Sequence, residues 1–491
     1  MLATEITACR SCHSTRLESV LNLGELCVSD FIRPGQSEDK APLELVVCLD
    51  CSLVQLRHTV DRDRLYLGRY WYRSGVNPSM LASLKDVVDD VVARLPFPAK
   101  NGTAVLDIGA NDGSLLRMFP GHWQRDGFEP SDLQDVAETG NNTIHRTYFP
   151  PSFPVLHKYD IITSIAMFYS VADPDAFVAG IKDWLHPDGI WVCQFQDLPG
   201  MLATNGLDNI CHEHTAYWGI EAFNHLLARH DLIVRDATHN ATNGGSVRYI
   251  VGHSPVGLLP GLASGQSFYS AVQLRAFGHK AAALRTATRI LLRRLKAQGA
   301  TIYGMGASTK FNTLAQYYGL GPDIITAIGE RSPEKWGLQT VGTHVPIVSE
   351  AEVLAAKPDY LWIGPWHFFD NFRERYTAFD GKWIVPLPEL RIVPASVNPT
   401  AIPVSQYEFV TQKGYEKDSD VPAEKDGAKP ANIPESQQDS GDYGAQDGQK
   451  DYPPQVANPV FRMEGASWAV LNVVTPTTNS HDNPPTHKIT Y

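Results

Sequence analysis

The chain has 491 residues, 43% of them hydrophobic and 20% charged, an ordinary globular composition with room for about three domains. Its formal net charge of −12 argues against a general nucleic-acid or anionic-membrane binder, because neither partner attracts an acidic surface. No apolar run reaches bilayer length, and the opening MLATEITACR lacks a charged-then-apolar signal pattern, so the expected compartment is the cytoplasm.

Four of the seven cysteines form two knuckles, Cys9-x-x-Cys12 and Cys48-x-x-Cys51, separated by enough chain for a small β-rich module. Each knuckle places two thiolates on one side of a turn, and two knuckles complete a tetrahedral sulfur site for structural zinc. Redox dithiols fit less well, because neither knuckle sits at the strand-to-helix turn of a βαβ unit. Cys27, Cys193 and Cys211 read as small buried hydrophobes. Next comes an aromatic stretch, Tyr66 to Asn77, in which Trp71 is expected to pack the zinc module onto the following domain. The hydroxyls of Tyr70 and Tyr72 are placed to project into a cleft. A helix is expected from about Pro78 to Leu95.

Val105-Leu-Asp-Ile-Gly-Ala-Asn-Asp-Gly113 then reads as a buried strand, a tight glycine turn and the start of a helix. About twenty residues after the loop, Glu129 closes a second apolar segment, the placement of an acid that hydrogen-bonds a ribose diol. A dinucleotide loop would leave the helix N-terminus free for a pyrophosphate, but here Asn111 and Asp112 stand in that place. A carboxylate repels a diphosphate and suits the cationic, phosphate-free S-adenosylmethionine. The expected cofactor contacts are Asp107, Gly109, Asn111, Asp112, Gly113, Glu129 and Pro130, with Asp107 and Gly109 at the methionine end.

Residues 100 to 255 alternate strand and helix as a doubly wound sheet does, with strands at Tyr159 to Ile165 and Gly189 to Phe195 and a helix from Pro174 to Leu185. Ligands in such sheets lie beyond the carboxyl ends of the strands, which puts Asp107, Glu129, Ser164 to Met167 and Gln194 to Asp197 on one rim. The densest polar cluster follows, Asn209-Ile-Cys-His-Glu-His-Thr-Ala-Tyr-Trp218. It is not a zinc-protease motif, since position 216 is Ala, and three adjacent side chains diverge on a helix or alternate on a strand. General acid/base work by a histidine is the better reading. Asn243-Gly-Gly-Ser-Val-Arg248 is a tight turn entering a strand.

Taken together, the two cysteine pairs, the Tyr-x-Tyr-x-Ser stretch, the Asp-Ile-Gly-x-Asn-Asp-Gly loop, the His-Glu-His-x-x-Tyr motif and the Gly-Gly-Ser-x-Arg turn resemble the sugar C-methyltransferases that act on nucleotide-linked 4-keto-deoxysugars. The resemblance spans about residues 8 to 393. It implies an α/β chain with a small zinc module, a class I methyltransferase domain and a second Rossmann-like domain, and no dependence on nucleic acid or membrane. It also implies His214 as the base, Glu213 as its neighbour, Tyr70 or Tyr72 as an enolate contact, and Asn243 and Arg248 as substrate contacts. Cys211 and Gln194-Phe-Gln196 depart from the family pattern, and both bear on the sugar rather than on the cofactor.

A long proline-free helix is expected from about Tyr269 to Lys296, leading into Thr301-Ile-Tyr-Gly-Met-Gly-Ala-Ser-Thr-Lys310, a second strand and glycine turn. Ser308, Thr309 and Lys310 could meet an anion at the helix N-terminus, and a sugar-nucleotide diphosphate is the anion that the resemblance implies. The resulting division is 1–66 zinc module, 67–255 methyltransferase domain, 256–395 substrate domain and 396–491 tail, working as a monomer. Residues 396 to 456 are too poor in large apolar groups to offset chain entropy and are expected to be disordered; Val460 to Val474 could form one strand or dock a protein partner.

Overall fold

The computed structural model describes residues 2–67, 70–95, 102–138, 142–155, 157–254 and 269–395, together with the backbone of three later strands, Glu408–Phe409, Val460–Glu464 and Ser467–Leu471. The described residues as far as Phe409 belong to one unit built on three larger sheets and two two-stranded ones. Ala104–Ile108 is buried along its whole length, so both of its faces must be covered. Leu106 and Ile108 face a core with Phe177, Ile181 and Leu226, whereas Val105 faces Leu84, Val88 and Leu116 on the other side.

The helix Pro78–Arg94 supplies part of that second layer. Met80, Leu84, Val87, Val88 and Val91 recur at helical spacing, and the Asn77 side chain caps its start by accepting from the Ser79 N–H. Across the first α/β sheet the order is Thr143–His145, Gln124–Phe128, Ala104–Ile108, Tyr159–Ile165, Leu185–Phe195, Ser246–His253 and Leu232–Asn240. Numbered along the chain this is 3-2-1-4-5-7-6, parallel except for Ser246–His253, which runs antiparallel to both neighbours. The rim expected at the carboxyl ends of strands 1, 2 and 4 is therefore present.

A second α/β sheet runs Ile347–Ser349, Ile328–Glu330, Ile302–Met305, Tyr360–Ile363 and Lys382–Val385 in parallel, then Arg391–Pro394 and Glu408–Phe409 antiparallel. Gly306 turns the chain out of its first strand at φ 81°, where a Cβ would sit 2.7 Å from Pro365 Cγ. The connecting helix is Ala271–Ala297, opened by a Ser270/Gln273 capping box. Disorder was expected for 396–456; Glu408–Phe409 departs from it because the open edge of Arg391–Pro394 offers a ladder to pair with. The rest of that stretch lies outside the described residues. Beyond it, Val460–Glu464 and Ser467–Leu471 pair as an antiparallel hairpin rather than as the one strand expected. No helix among the described residues is long and apolar enough to cross a membrane.

The third sheet is antiparallel and carries the cysteine knuckles: Leu17–Cys27, Lys40–Cys48, Val54–Leu56 and, at its edge, Ala216–Tyr217. That last strand belongs to the polar cluster 209–218, so the His-Glu-His segment is bonded into the N-terminal sheet. Phe31–Ile32 pairs in turn with Gln339–Thr340. Leu43, Leu45, Val54 and Leu56 share one core with Met201 and Tyr217, with Phe311 and Leu314 of the helix Thr309–Tyr318, and with Trp362 of the second α/β sheet. Trp71 does fasten this region, its indole N–H donating to Asp30 Oδ1 at 2.8 Å and its ring meeting Phe31 edge-on.

Candidate active site

A cavity of about 450 Å³ opens at the carboxyl ends of Ala104–Ile108 and Gln124–Phe128, lined among others by Tyr66, Tyr70, Tyr72, Gly109, Asn111, Glu129, Pro130 and Met167. Gly109 has φ 77°, and a Cβ there would lie 3.2 Å from the Met167 side chain, so glycine keeps the floor open. Glu129, 5% exposed, accepts from the Asn111 N–H through Oε2 (2.7 Å) and from the Ser131 N–H through Oε1 (2.9 Å). With the Ser131 side chain as a third partner, the four lone-pair sites of the carboxylate are still not all taken, which leaves capacity for a diol. Asn111, at φ 52°, ties the loop to the aromatic stretch: its Oδ1 accepts from the Ser74 N–H and its Nδ2 donates to the Tyr72 carbonyl.

Asp112 stands just ahead of the short helix Ser114–Met118, with Oδ1 accepting from the Ser114 N–H (3.2 Å) and Oδ2 from the Gly75 N–H (2.7 Å). A carboxylate thus occupies the place where a diphosphate would bind, and S-adenosylmethionine fits. Gly113, at φ 73°, admits the close approach of Ala137. Three of the expected cofactor contacts do not line the cavity, Gly113 among them. Asp112 lies outside the cavity lining, and Asp107 lies beneath it, accepting from Thr163 Oγ1 at 2.7 Å while burial pushes its carboxyl up to about 7. Glu129→Ala is expected to weaken cofactor binding by about 1 to 3 kcal/mol, the cost of a lost charged hydrogen-bond partner. Calorimetry on a folded variant measures it, and unchanged affinity removes Glu129 from the ribose.

The three residues of the His-Glu-His segment diverge. His212 is buried with its Nε2 on the Ala41 carbonyl (3.0 Å), a bond into the zinc sheet. Glu213 has an Oε2 without a partner, and burial pushes its carboxyl above the usual range. His214 Nδ1 lies 2.8 Å from the Asn209 carbonyl. A carbonyl only accepts, so Nδ1 carries the proton and Nε2 is left as a bare lone pair. Burial, with Lys310 nearby, lowers His214 to about 4, below the near-neutral range of a free imidazole.

A small pocket of about 30 Å³ meets His214, lined also by Tyr169, Gln196, Asn209, Asn243 and Lys310. Tyr70 and Tyr72 line the large cavity instead; the tyrosine ring against His214 is Tyr169, at 4.1 Å between centroids. Tyr169 follows strand 4 by four residues, just past the 164–167 segment flagged on the rim. Lys310 reaches the pocket from the first turn of Thr309–Tyr318, donating to the Asn243 carbonyl at 3.4 Å, with Asp208 Oδ2 at 3.9 Å. Ser308 is spent as the cap of that helix, accepting from the Phe311 N–H. Arg248, expected on the substrate, is 4% exposed and held by Asp86 Oδ2 (2.6 Å), Asp90 Oδ2 (2.9 Å) and Gln194 Oε1 (2.9 Å), so its guanidinium fastens the Pro78–Arg94 helix to the sheet.

The sulfurs of Cys9, Cys12, Cys48 and Cys51 all lie within 4.8 Å of one another, with Cys9–Cys51 at 3.6 Å and Cys12–Cys48 at 3.5 Å. A tetrahedral site with Zn–S of about 2.3 Å needs sulfurs about 3.8 Å apart, so the four fit zinc. Gln55 Nε2 donates to Cys9 Sγ (3.2 Å), the kind of outer contact that orients a thiolate ligand.

Three domain-family profiles match in succession: a zinc binding domain over residues 9–66, a methyltransferase domain over residues 80–236, and a C-methyltransferase C-terminal domain over residues 241–388. C-methyltransferase NovU of Streptomyces niveus is 28% identical over 421 residues, which cover 79% of this chain and 97% of that protein. Among solved structures, an S-adenosylmethionine-dependent methyltransferase from Clostridium acetobutylicum overlays with a TM-score of 0.30 at 11% identity, covering 36% of this chain and 92% of its own. YcgJ of Bacillus subtilis overlays with 0.29 at 15%, covering 36% and 99%. With these three domains in this order, on a chain whose own geometry supplies the sulfur site and the cofactor cavity, the protein is an S-adenosylmethionine-dependent methyltransferase, similar over most of its length to a C-methyltransferase.

Proposed function

We propose that the methyl acceptor is C3 of a nucleotide-linked 4-keto-deoxysugar and that His214 removes its proton. The observation that carries this reading is the fixed tautomer of His214, a base lone pair beside a pocket that Lys310 of the helix Thr309–Tyr318 also lines. A ketone at C4 acidifies the C3 proton, so a positioned base is what carbon alkylation there requires. S-adenosylmethionine supplies the electrophilic methyl group. Glu129 holds the ribose, Tyr70 and Tyr72 line the large cavity that takes the cofactor, and Asn243 meets the substrate through the small pocket. Zinc has no place in this chemistry and builds the N-terminal module. On this reading residues 1–66, 67–255 and 256–395 are the zinc, cofactor and substrate parts of the chain.

The test is mass spectrometry of a panel of nucleotide-linked keto-sugars incubated with the protein and labelled S-adenosylmethionine. A gain of one methyl on a 4-keto sugar, with the label mapped to C3, is the expected result. Label on a hydroxyl oxygen, or none across the panel, overturns the proposal and directs the search to other carbonyl or hydroxyl acceptors.

A further inference from the structure

Removing a proton from C3 sends negative charge to the keto oxygen, and a group must receive it. Tyr70 and Tyr72 do not line the small pocket at His214, whereas Lys310 and Gln196 do. We infer that Lys310 is a catalytic residue, its ammonium holding the keto oxygen as it becomes an enolate, with the Gln196 amide as the second donor. The inference rests on the keto-sugar reading and deepens it.

Three observations carry it. First, His214, Lys310 and Gln196 line one narrow pocket of about 30 Å³, space for about two waters and tight for a diphosphate. Lys310 therefore faces the base rather than an anion on the helix N-terminus, where Ser308 already takes the Phe311 N–H. Second, the amide nitrogen of Gln196 is buried without a hydrogen-bond partner. A buried idle donor costs free energy that a substrate oxygen restores. Third, Lys310 has donor capacity to spare: its contacts are the Asn243 carbonyl at 3.4 Å and Asp208 Oδ2 at 3.9 Å. Asp208, 0% exposed, is itself held by the Trp366 indole at 3.1 Å and balances the buried ammonium without closing on it. Asp208 is thus a positioning residue for Lys310.

His214 Nε2 takes the C3 proton, the C–H electron pair becomes the C3–C4 double bond, and the carbonyl π pair moves onto oxygen, where Lys310 and Gln196 donate to it. The enolate pair then bonds the methyl carbon, sulfur keeps the pair of the broken S–CH3 bond, the carbonyl re-forms, and the proton leaves His214 to solvent. Donors aimed at the developing charge act in a dry pocket where they are strongest.

The test uses the full chain with thymidine-, uridine- and guanosine-diphosphate-linked 4-keto-6-deoxyhexoses, following solvent deuterium uptake at C3, and separately the affinity for each free nucleoside diphosphate. Lys310→Met is expected to slow uptake and kcat by about 10² to 10³, the usual effect of losing one oxyanion donor, with diphosphate affinity within threefold of the parent. Lys310→Arg should keep more of the exchange than Lys310→Met. If diphosphate affinity drops tenfold or more while kcat at saturation holds, Lys310 is a phosphate ligand and the inference fails. Should Lys310→Met not fold, Gln196→Leu decides: exchange slowed tenfold or more supports the pair, and unchanged exchange overturns it. A parent protein that takes up no deuterium at C3 overturns the substrate reading and this role with it, whereas a parent that exchanges no faster than Lys310→Met overturns the role alone.

Discussion

Cys48→Ser is expected to leave less than one zinc per chain and to cost the fold on the order of 4 kcal/mol or more, the scale of a lost structural metal. The loss should not stay in the knuckles. Cys48 ends the strand Lys40–Cys48, and its neighbour Val54–Leu56 pairs with that strand on one side and with Ala216–Tyr217 on the other. Gln55 joins the two levels, its amide on Cys9 Sγ and its backbone opposite Ala216, two residues after His214. The Leu56 N–H also donates to the Thr215 carbonyl at 2.9 Å. Methyl transfer should therefore fall further than cofactor binding does, because the floor of the large cavity comes from Ala104–Ile108 and Gln124–Phe128 of the other sheet. Elemental analysis and thermal unfolding check the first part, and calorimetry with cofactor the second. Full zinc with an unchanged melting temperature means that the four sulfurs are not the metal site.

What could be read from the sequence is what is encoded locally. Strand, glycine turn and helix at 104–118 follow from period and glycine placement within fifteen residues, and the knuckles follow from Cys-x-x-Cys spacing. What could not be read depends on partners far along the chain. Arg248 sits in a turn that resembles a substrate-binding one, but Asp86 and Asp90, one helical turn apart on Pro78–Arg94, capture its guanidinium. Ala216–Tyr217 is two residues long, too short to carry a strand pattern, and its partner Val54–Leu56 lies some 160 residues earlier. Asp107 was placed by its motif on the cavity wall, yet its side chain points to Thr163 beneath. Period alone assigns a strand, but not which of its faces the ligand sees.

His214→Ala should leave cofactor affinity unchanged and lower turnover by about 10² to 10⁴, the usual contribution of a positioned base. The geometry sets apart its neighbours: His212 is committed to the Ala41 carbonyl, so His212→Ala should act on stability, while His214 presents Nε2 to the pocket. The pH dependence gives a second readout. Because burial lowers His214 to about 4, the base stays unprotonated through the neutral range, and deuterium uptake at C3 should show no loss attributable to an imidazole of ordinary pKa between pH 8 and 5.5. Stability carries the complementary sign. Between about 6.5, the ordinary histidine value, and about 4 the unfolded chain binds a proton at this position that the folded chain refuses, so the parent loses stability relative to His214→Ala as the pH falls through that window, and pays nothing above it. Uptake in His214→Ala as fast as in the parent, or an acid limb near 6.5 that vanishes in the variant, would each contradict the arrangement: the first removes His214 as the base, the second shows an imidazole open to water rather than held dry against Asn209.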